Sequence, residues 1–237
     1  GFARIRGDYN PHQWPGPGVS AWSPGPVMSE IAQSFDSQRY AVLRRLVPPH
    51  ALRLMFEATL LNRAHEGYMI WDKGTQAWGR YCDAMGEALL IMLHAPLQRR
   101  LGLELLPCYS YLRCYTPESR LPSHLDRPSC EISVTLPVGQ YKSVDSWPIW
   151  VESGGQNVAV DLKPGDLLAY RGAEVPHWRE PLPEGLWVQV FLHYVDANGP
   201  YTDYALDQRE RLGPVSLPVE NRPGINLPAR GKEPASN

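Results

Sequence analysis

Several features that define whole classes of protein are missing from this chain of 237 residues. No apolar run approaches the roughly 20 residues that a helix needs to cross a bilayer. At the N-terminus, no charged segment followed by an apolar one marks a signal peptide. The formal net charge is only -2 and there is no basic run, so the positive surface typical of nucleic-acid-binding proteins is missing. We therefore expect a protein that binds neither membranes nor nucleic acid, with a small, near-neutral substrate; nothing in the sequence indicates an oligomeric state.

Cysteine is also scarce. The four cysteines, Cys82, Cys108, Cys114 and Cys130, show no C-x-x-C spacing and lie in apolar surroundings. This pattern is typical of small, reduced core residues, which predicts a cytoplasmic protein. The alternative is a disulfide between Cys114 and Cys130 on adjacent strands.

Proline and glycine are abundant, with 24 and 20 residues, and they divide the chain into segments. Residues 1–35 are rich in proline, glycine and tryptophan without any apolar period, which predicts an irregular arm. Apolar residues at helical spacing predict helices over 49–62 and 76–101, the second with a break or kink at Pro96. The polar residues 200–237 predict a wrapped or disordered tail.

From residue 105 onward the apolar period changes to two and the turns shorten, which indicates short β-strands. Such strands are typical of a double-sheet jelly roll, and the two helices would cover one of its outer faces. We therefore expect a mainly β fold with flanking α-helices, a jelly-roll core over 105–196 and one domain over 36–199. The predicted strands are 40–47, 106–116, 130–137, 148–152, 156–162, 166–171, 175–179 and 186–195.

Two short segments carry side chains that bind metals. His124 and Asp126 are two residues apart where a strand begins, so their side chains project to the same side. A neighbouring strand carrying His177 would complete a triangle of two imidazoles and one carboxylate. Because H-x-D also arises by chance, the alternative is a surface histidine beside a solvated aspartate. The strand and turn patterns around both segments favour the metal site.

This donor set is the facial triad of non-haem Fe(II) oxygenases. Three protein ligands on one face of an octahedral ion leave three positions free, which accommodates a bidentate 2-oxo acid and dioxygen. A structural zinc site would instead have all its positions filled by protein. The triad residues are therefore both the predicted metal ligands and the predicted catalytic residues.

The order of these segments resembles the Fe(II)/2-oxoglutarate-dependent oxygenase superfamily, and within it the prolyl-hydroxylase-like branch. The resemblance covers roughly residues 36–196 and is strongest over Tyr111–Leu136 and Pro164–Val195. It implies a double-stranded β-helix, with His124, Asp126 and His177 as iron ligands. It also implies 2-oxoglutarate as co-substrate, whose far carboxylate pairs with a basic side chain inside the barrel.

The basic residue expected by this resemblance is not at its usual place. Branch members carry it nine or ten residues after the second histidine, where this chain has Leu186 and Trp187. Arg179 is the first substitute, because on a regular strand it shares the face of His177. Arg113 is its competitor, and the resemblance implies that Tyr115 donates its hydroxyl to the same carboxylate. For each arginine the alternative is a surface charge paired with a nearby glutamate.

The predicted function is therefore oxidation, first of all hydroxylation, of an unactivated C–H bond in a small molecule such as an amino acid or natural-product intermediate. By the resemblance, the carboxylate at Asp126 argues against halogenation and leaves desaturation and ring formation open. The alternatives are a peptidyl (prolyl-type) hydroxylase, a cupin-type metalloenzyme that needs no oxo acid, and a non-catalytic jelly-roll module that binds a sugar or peptide.

Overall fold

The computed structural model of the protein describes residues 30–215, so residues 1–29 of the predicted arm and 216–237 of the predicted tail lie outside the described residues. The described residues contain three α-helices: α1 (Glu30–Gln38), α2 (Pro49–Ala64) and α3 (Ala84–Leu101). They also contain eleven strands: β1 (Tyr40–Leu43), β2 (Ile70–Asp72), β3 (Ala77–Tyr81), β4 (Leu105–Tyr115), β5 (Leu121–His124), β6 (Ile132–Tyr141), β7 (Ile149–Ser153), β8 (Gln156–Val160), β9 (Leu167–Arg171), β10 (His177–Arg179) and β11 (Leu186–Asp196).

The strands form two antiparallel sheets. One has seven strands in the order β1-β9-β6-β11-β4-β3-β2, and the other has four in the order β5-β10-β7-β8. Strands β4 to β11 contribute four neighbouring strands to each sheet, which is the arrangement of a jelly roll. The predicted fold class, a mainly β jelly roll with flanking helices, is confirmed.

The larger sheet has an outer face that packs against the helices and an inner face that points toward the smaller sheet. Along β11, alternate residues belong to the two faces. Val188, Val190 and Leu192 belong to the main apolar core together with leucines of α2 and α3. Trp187 and Phe191 belong to a separate cluster on the opposite face. The helices therefore cover one side of the sheet and leave its other side to form the site.

The helix predicted over 76–101 is wrong in its first part. Residues Ala77–Tyr81 form strand β3, which pairs with β4, and the helix begins only at Ala84. Cys82 has a left-handed backbone (φ 52°), and the Asp83 carboxylate caps the helix by accepting the N–H groups of Met85 and Gly86. These local bonds separate the strand from the helix. The predicted break at Pro96 is not present either, because α3 continues to Leu101.

Other boundaries also differ from the predictions. The predicted arm ends in α1, which begins at Glu30 and buries Ala32 and Phe35. The strand predicted over 40–47 ends at Leu43, because Arg45 adopts φ 54° and its N–H donates to Asp166. Strand β2 was not predicted. The strand predicted to begin at His124 instead ends there, since β5 spans Leu121–His124.

Part of the predicted tail packs on the domain. The Glu87 carboxylate of α3 accepts hydrogen bonds from the Arg209 guanidinium (3.2 Å) and the Gly213 N–H (2.8 Å). Asp207 forms a bidentate ion pair with Arg127 at 2.7 and 2.8 Å. Residues 200–215 are therefore held against the barrel.

Within residues 30–215, no helix is both long and apolar enough to span a bilayer. The four cysteines are all buried free thiols, so the alternative disulfide between Cys114 and Cys130 is not formed.

Candidate metal centre

The two predicted histidines meet on adjacent strands of the smaller sheet. Strand β5 ends at His124 and β10 begins at His177, and these two residues are direct partners in the register. Asp126 follows β5 by two residues and lies between the imidazoles. Its Oδ1 is 3.5 Å from Nε2 of His124 and 3.6 Å from Nε2 of His177. The chain thus brings together all three predicted ligands, with their donor atoms within 4.8 Å of one another.

The other ring nitrogen of each histidine determines which tautomer is present. Nδ1 of His124 lies 2.8 Å from the Pro122 carbonyl, and Nδ1 of His177 lies 2.9 Å from the Val175 carbonyl. A carbonyl oxygen can only accept a hydrogen bond, so each Nδ1 is the donor and carries the proton. In the neutral rings each Nε2 is therefore unprotonated, and both Nε2 atoms face Oδ1 of Asp126, where a cation would be bound. This is the usual arrangement of metal-binding histidines, and the donor set fits a metal that takes nitrogen and oxygen ligands.

Asp126 is oriented by bonds to its other atoms. Its backbone N–H donates to the Gly172 carbonyl (2.9 Å), and its Oδ2 accepts a hydrogen bond from the Ser133 hydroxyl (2.7 Å). Gly172 is required at this position, because a Cβ there would lie 2.3 Å from Oδ2 and 2.4 Å from the Cys130 carbonyl. These contacts leave Oδ1 free to face the two imidazoles.

The pKa shifts indicate an ionised carboxylate beside two histidines whose pKa values move in opposite directions. Burial by itself raises the pKa of Asp126, but the hydrogen bond with His124 and the neighbouring charges outweigh it and bring the pKa to about 2. Burial lowers the pKa of His177. The hydrogen bond with Asp126 raises the pKa of His124. The carboxylate is therefore ionised at neutral pH and offers a full negative charge to a cation.

A cavity of about 190 Å³ opens onto the triad. Its walls come from both sheets and combine aromatic side chains with a few polar groups. The lining residues besides the triad are Tyr109, Tyr111, Arg113, Leu121, Tyr170, Phe191 and His193.

Arg179 and Tyr115 are not among the residues that line this cavity, and both contact the indole of Trp147. The Arg179 guanidinium is 4.6 Å from the centre of the Trp147 ring and donates to the Trp147 carbonyl. The Tyr115 ring is 4.9 Å from the same indole, and Trp187 packs against it at 5.8 Å. Arg179 and Trp187, one of the two positions at which the resemblance expects the basic residue, thus both pack against Trp147.

Two buried donors in this region have no partner among the described residues: Nε of Arg179 and the hydroxyl of Tyr115. Arg179 is only 2% exposed, and no described carboxylate lies within ion-pair distance of it. Burial lowers its pKa to about 10. A buried cation without a counter-ion is costly, so this pair of donors fits an anionic group.

Arg113 is placed differently. Its Nη1 donates to Oδ2 of Asp72 at 2.9 Å and to the Thr75 hydroxyl, and its guanidinium lies 4.9 Å from the centre of the Tyr111 ring. Tyr115 is near both arginines, since the charges of Arg113 and Arg179 each oppose the rise in its pKa that burial causes. Arg113 is in addition part of the cavity wall beside β2.

No family model matches the sequence, and no curated protein matches it either. Solved structures do match. The non-haem alpha-ketoglutarate-dependent epimerase SnoN from nogalamycin biosynthesis is 11% identical, with a TM-score of 0.60 over 70% of this chain and 82% of that one. HygX from Streptomyces hygroscopicus, solved with nickel and 2-oxoglutarate bound, is 15% identical, with a TM-score of 0.57 over 82% of this chain and 98% of that one. A Pseudomonas putida prolyl-4-hydroxylase is 17% identical, with a TM-score of 0.55 over 71% and 99%.

The chain has the fold of the 2-oxoglutarate-dependent oxygenases. Within this oxygenase fold, sequence reasoning missed Ser133, which orients Asp126. Ser133 on β6 holds Asp126, and its hydroxyl is also 2.9 Å from Nδ1 of His193. The alternation of side chains along β6 and β11 could have identified Ser133, because Ser133 and His193 are register partners on the inner face of the sheet.

A second group of ligand types, Asp126, Cys130 and His193, shares the same carboxylate. Burial raises the pKa of Cys130 to about 12, so its sulfur stays a protonated thiol. Thiolate is the form that binds metals. The group of His124, Asp126 and His177 is therefore the better metal site.

Proposed function

We propose that this protein is a non-haem Fe(II)- and 2-oxoglutarate-dependent dioxygenase that hydroxylates an unactivated C–H bond of a small molecule, such as an amino acid or a natural-product intermediate. The observation that carries the proposal is the triad, with two Nε2 atoms and one carboxylate oxygen directed at the same point. Bound iron would couple the oxidative decarboxylation of 2-oxoglutarate, which yields succinate and CO2, to oxidation of the substrate by dioxygen.

In this proposal His124, Asp126 and His177 hold the metal on one face and leave its other positions for the co-substrate and dioxygen. The carbonyls of Pro122 and Val175 keep each imidazole in the tautomer that offers Nε2. Such supporting hydrogen bonds fix the ring orientation and increase ligand basicity.

Arg179 and Tyr115 are proposed to bind the far carboxylate of 2-oxoglutarate. The unpartnered Nε of Arg179 and the unpartnered hydroxyl of Tyr115 support this role, since a carboxylate would accept a hydrogen bond from each. Arg113 is the weaker candidate because it already pairs with Asp72.

The cavity of about 190 Å³ favours a small substrate over a folded protein surface. Matching structures include one solved with hygromycin B bound, which supports a small-molecule substrate, and one of a prolyl-4-hydroxylase, which supports the prolyl-type alternative. A non-catalytic module is less well supported, because it would have no need for the bonds that orient each triad side chain. The four free thiols support the predicted cytoplasmic location.

The test is succinate formation by protein reconstituted with Fe(II) under anaerobic conditions and then given 2-oxoglutarate, oxygen and a panel of amino acids and small metabolites. We expect succinate with Fe(II) and none with Zn(II). Equal activity with zinc would contradict oxygenase chemistry, and iron binding without succinate would favour the cupin-type alternative.

Variants then test the ligands themselves. Asp126→Ala and His177→Ala should each abolish iron-dependent succinate formation while the far-UV circular dichroism stays near that of the wild type. His50→Ala, at an exposed histidine of α2, serves as the matched control and should keep its activity. Full activity of Asp126→Ala would refute the triad.

A further inference from the structure

Arg113 has hydrogen-bonding capacity that the described residues do not use. Its Nη1 is occupied by Asp72 and Thr75, whereas its Nε and Nη2 make no hydrogen bond to any residue in the range 30–215. Only 15% of its side chain is exposed, and Arg113 is one of the residues that line the cavity shared with the metal ligands. Unused donors of a mostly buried guanidinium in a cavity wall are available to a ligand.

The guanidinium is also held in one place. Asp72 and Thr75 hold one nitrogen, and the face of the cation lies over the Tyr111 ring at 4.9 Å. Oδ1 of Asp72 in turn accepts the Gly74 N–H at 2.8 Å, which fixes the carboxylate. A guanidinium group held in this way loses little conformational entropy when it binds a planar anion.

The second arginine near the site has a different environment. Arg179 is sealed in the interior around Trp147, whereas Arg113 is in the wall of the cavity. The proposed function assigns the co-substrate carboxylate to Arg179. Arg113 is then free to recognise a different anionic group, which would belong to the molecule that is oxidised.

We infer that the substrate carries a carboxylate, which binds the Nε and Nη2 edge of Arg113. Its apolar body lies against the aromatic walls formed by Tyr111, Tyr109 and Phe191, with a C–H bond directed toward the triad. This inference rests on the proposed function and names the substrate class of the same site. It departs from the near-neutral substrate suggested by the chain's net charge, because recognition depends on the charge local to the cavity.

The probe is para-fluorobenzoate, with para-fluorobenzamide as its uncharged counterpart. The protein is reconstituted anaerobically with Fe(II) and saturated with 2-oxoglutarate, and binding is measured by broadening of the fluorine resonance. We expect the wild type to bind the acid at least about tenfold more tightly than the amide, as a charge-assisted bidentate pair requires. Arg113→Gln should lose this preference. Arg113→Lys keeps the positive charge but lacks the two parallel N–H donors, so it should retain only part of the preference for the acid.

Arg120→Gln is the matched control, because Arg120 is exposed and does not line the cavity. Its preference for the acid should equal that of the wild type. The inference would be overturned if the wild type bound the acid and the amide equally tightly, or if it bound neither. It would also be overturned by a preference that survives unchanged in both Arg113 variants.

The affinity for 2-oxoglutarate separates this inference from the proposed function. Its charge-transfer absorption with iron is titrated in each variant, and Arg113→Gln should match the wild type. If wild-type protein with iron fails to bind 2-oxoglutarate, the proposed function itself is wrong. If Arg113→Gln loses 2-oxoglutarate binding, Arg113 is the co-substrate anchor and the substrate inference is wrong.

Discussion

Replacing Arg179 by methionine should separate the stability of the protein from its affinity for 2-oxoglutarate. Burial lowers the pKa of Arg179 from 12.5 to about 10, so the charged side chain is disfavoured in the fold at every pH below about 10. That lowering corresponds to about 3 kcal/mol by which the cation destabilises the unliganded protein. Methionine removes this cost and fills a similar volume.

Methionine also removes favourable contacts. The cation over the Trp147 ring contributes about 0.5 to 2 kcal/mol, and the hydrogen bond to the Trp147 carbonyl about 1 kcal/mol. These losses are similar in size to the relief of the buried charge. We therefore expect the unliganded Arg179→Met protein to unfold within a few degrees of the wild type, or slightly above it.

The effect on ligand binding should be much larger. At a concentration of 100 times its Kd, 2-oxoglutarate should stabilise the metal-loaded wild type by about 2.7 kcal/mol. For a domain of this size that raises Tm by roughly 5 to 10 °C. Loss of a buried charge pair worth about 3 kcal/mol weakens binding roughly 100-fold, and the same concentration should then raise Tm by only about 1 °C.

The assay is thermal unfolding of Arg179→Met and wild type with metal, with and without 2-oxoglutarate. Arg171→Met is the matched control, because that arginine stacks on Phe35 and pairs with Glu174. It should keep the full ligand-induced rise. An Arg179→Met protein that keeps this rise, or that loses several kcal/mol of stability without ligand, would refute the reasoning.

Two further substitutions test the residues that support the site and the fold. Gly172→Ala puts a Cβ 2.3 Å from Oδ2 of Asp126, so the carboxylate must move. Metal titration should then show at least about tenfold weaker binding. An unchanged metal affinity would mean that this contact does not constrain the position of Asp126. Glu87→Gln replaces one acceptor oxygen by a donor, which then opposes either the Ser110 N–H at Oε1 or the Arg209 and Gly213 donors at Oε2. This should cost about 1 to 3 kcal/mol in thermal unfolding. A Tm equal to that of the wild type would show that the 209–213 segment does not depend on this carboxylate.

The sequence predicted those elements whose apolar period was long and uninterrupted. Helix α2 and strands β4 and β11 lie close to their predicted bounds, because each has buried apolar residues along its length. The region 76–101 was misread because the apolar residues of β3 continue those of α3 without a change in composition. The boundary depends on the backbone of Cys82 and the cap at Asp83, and a periodicity search does not detect them.

The sequence alone determined the fold class and the three metal-ligand candidates. Alternation along a strand decides the face of each side chain, and the strand and turn patterns around both segments distinguish this H-x-D from a chance occurrence. The tertiary structure alone decided the separate positions of Arg179 and Arg113. Both lie near the site in sequence, but only packing shows that one is sealed against Trp147 without a counter-ion while the other pairs with Asp72 at the cavity wall. Burial and pairing arise between segments that are distant in the chain, so no local pattern of residues records them.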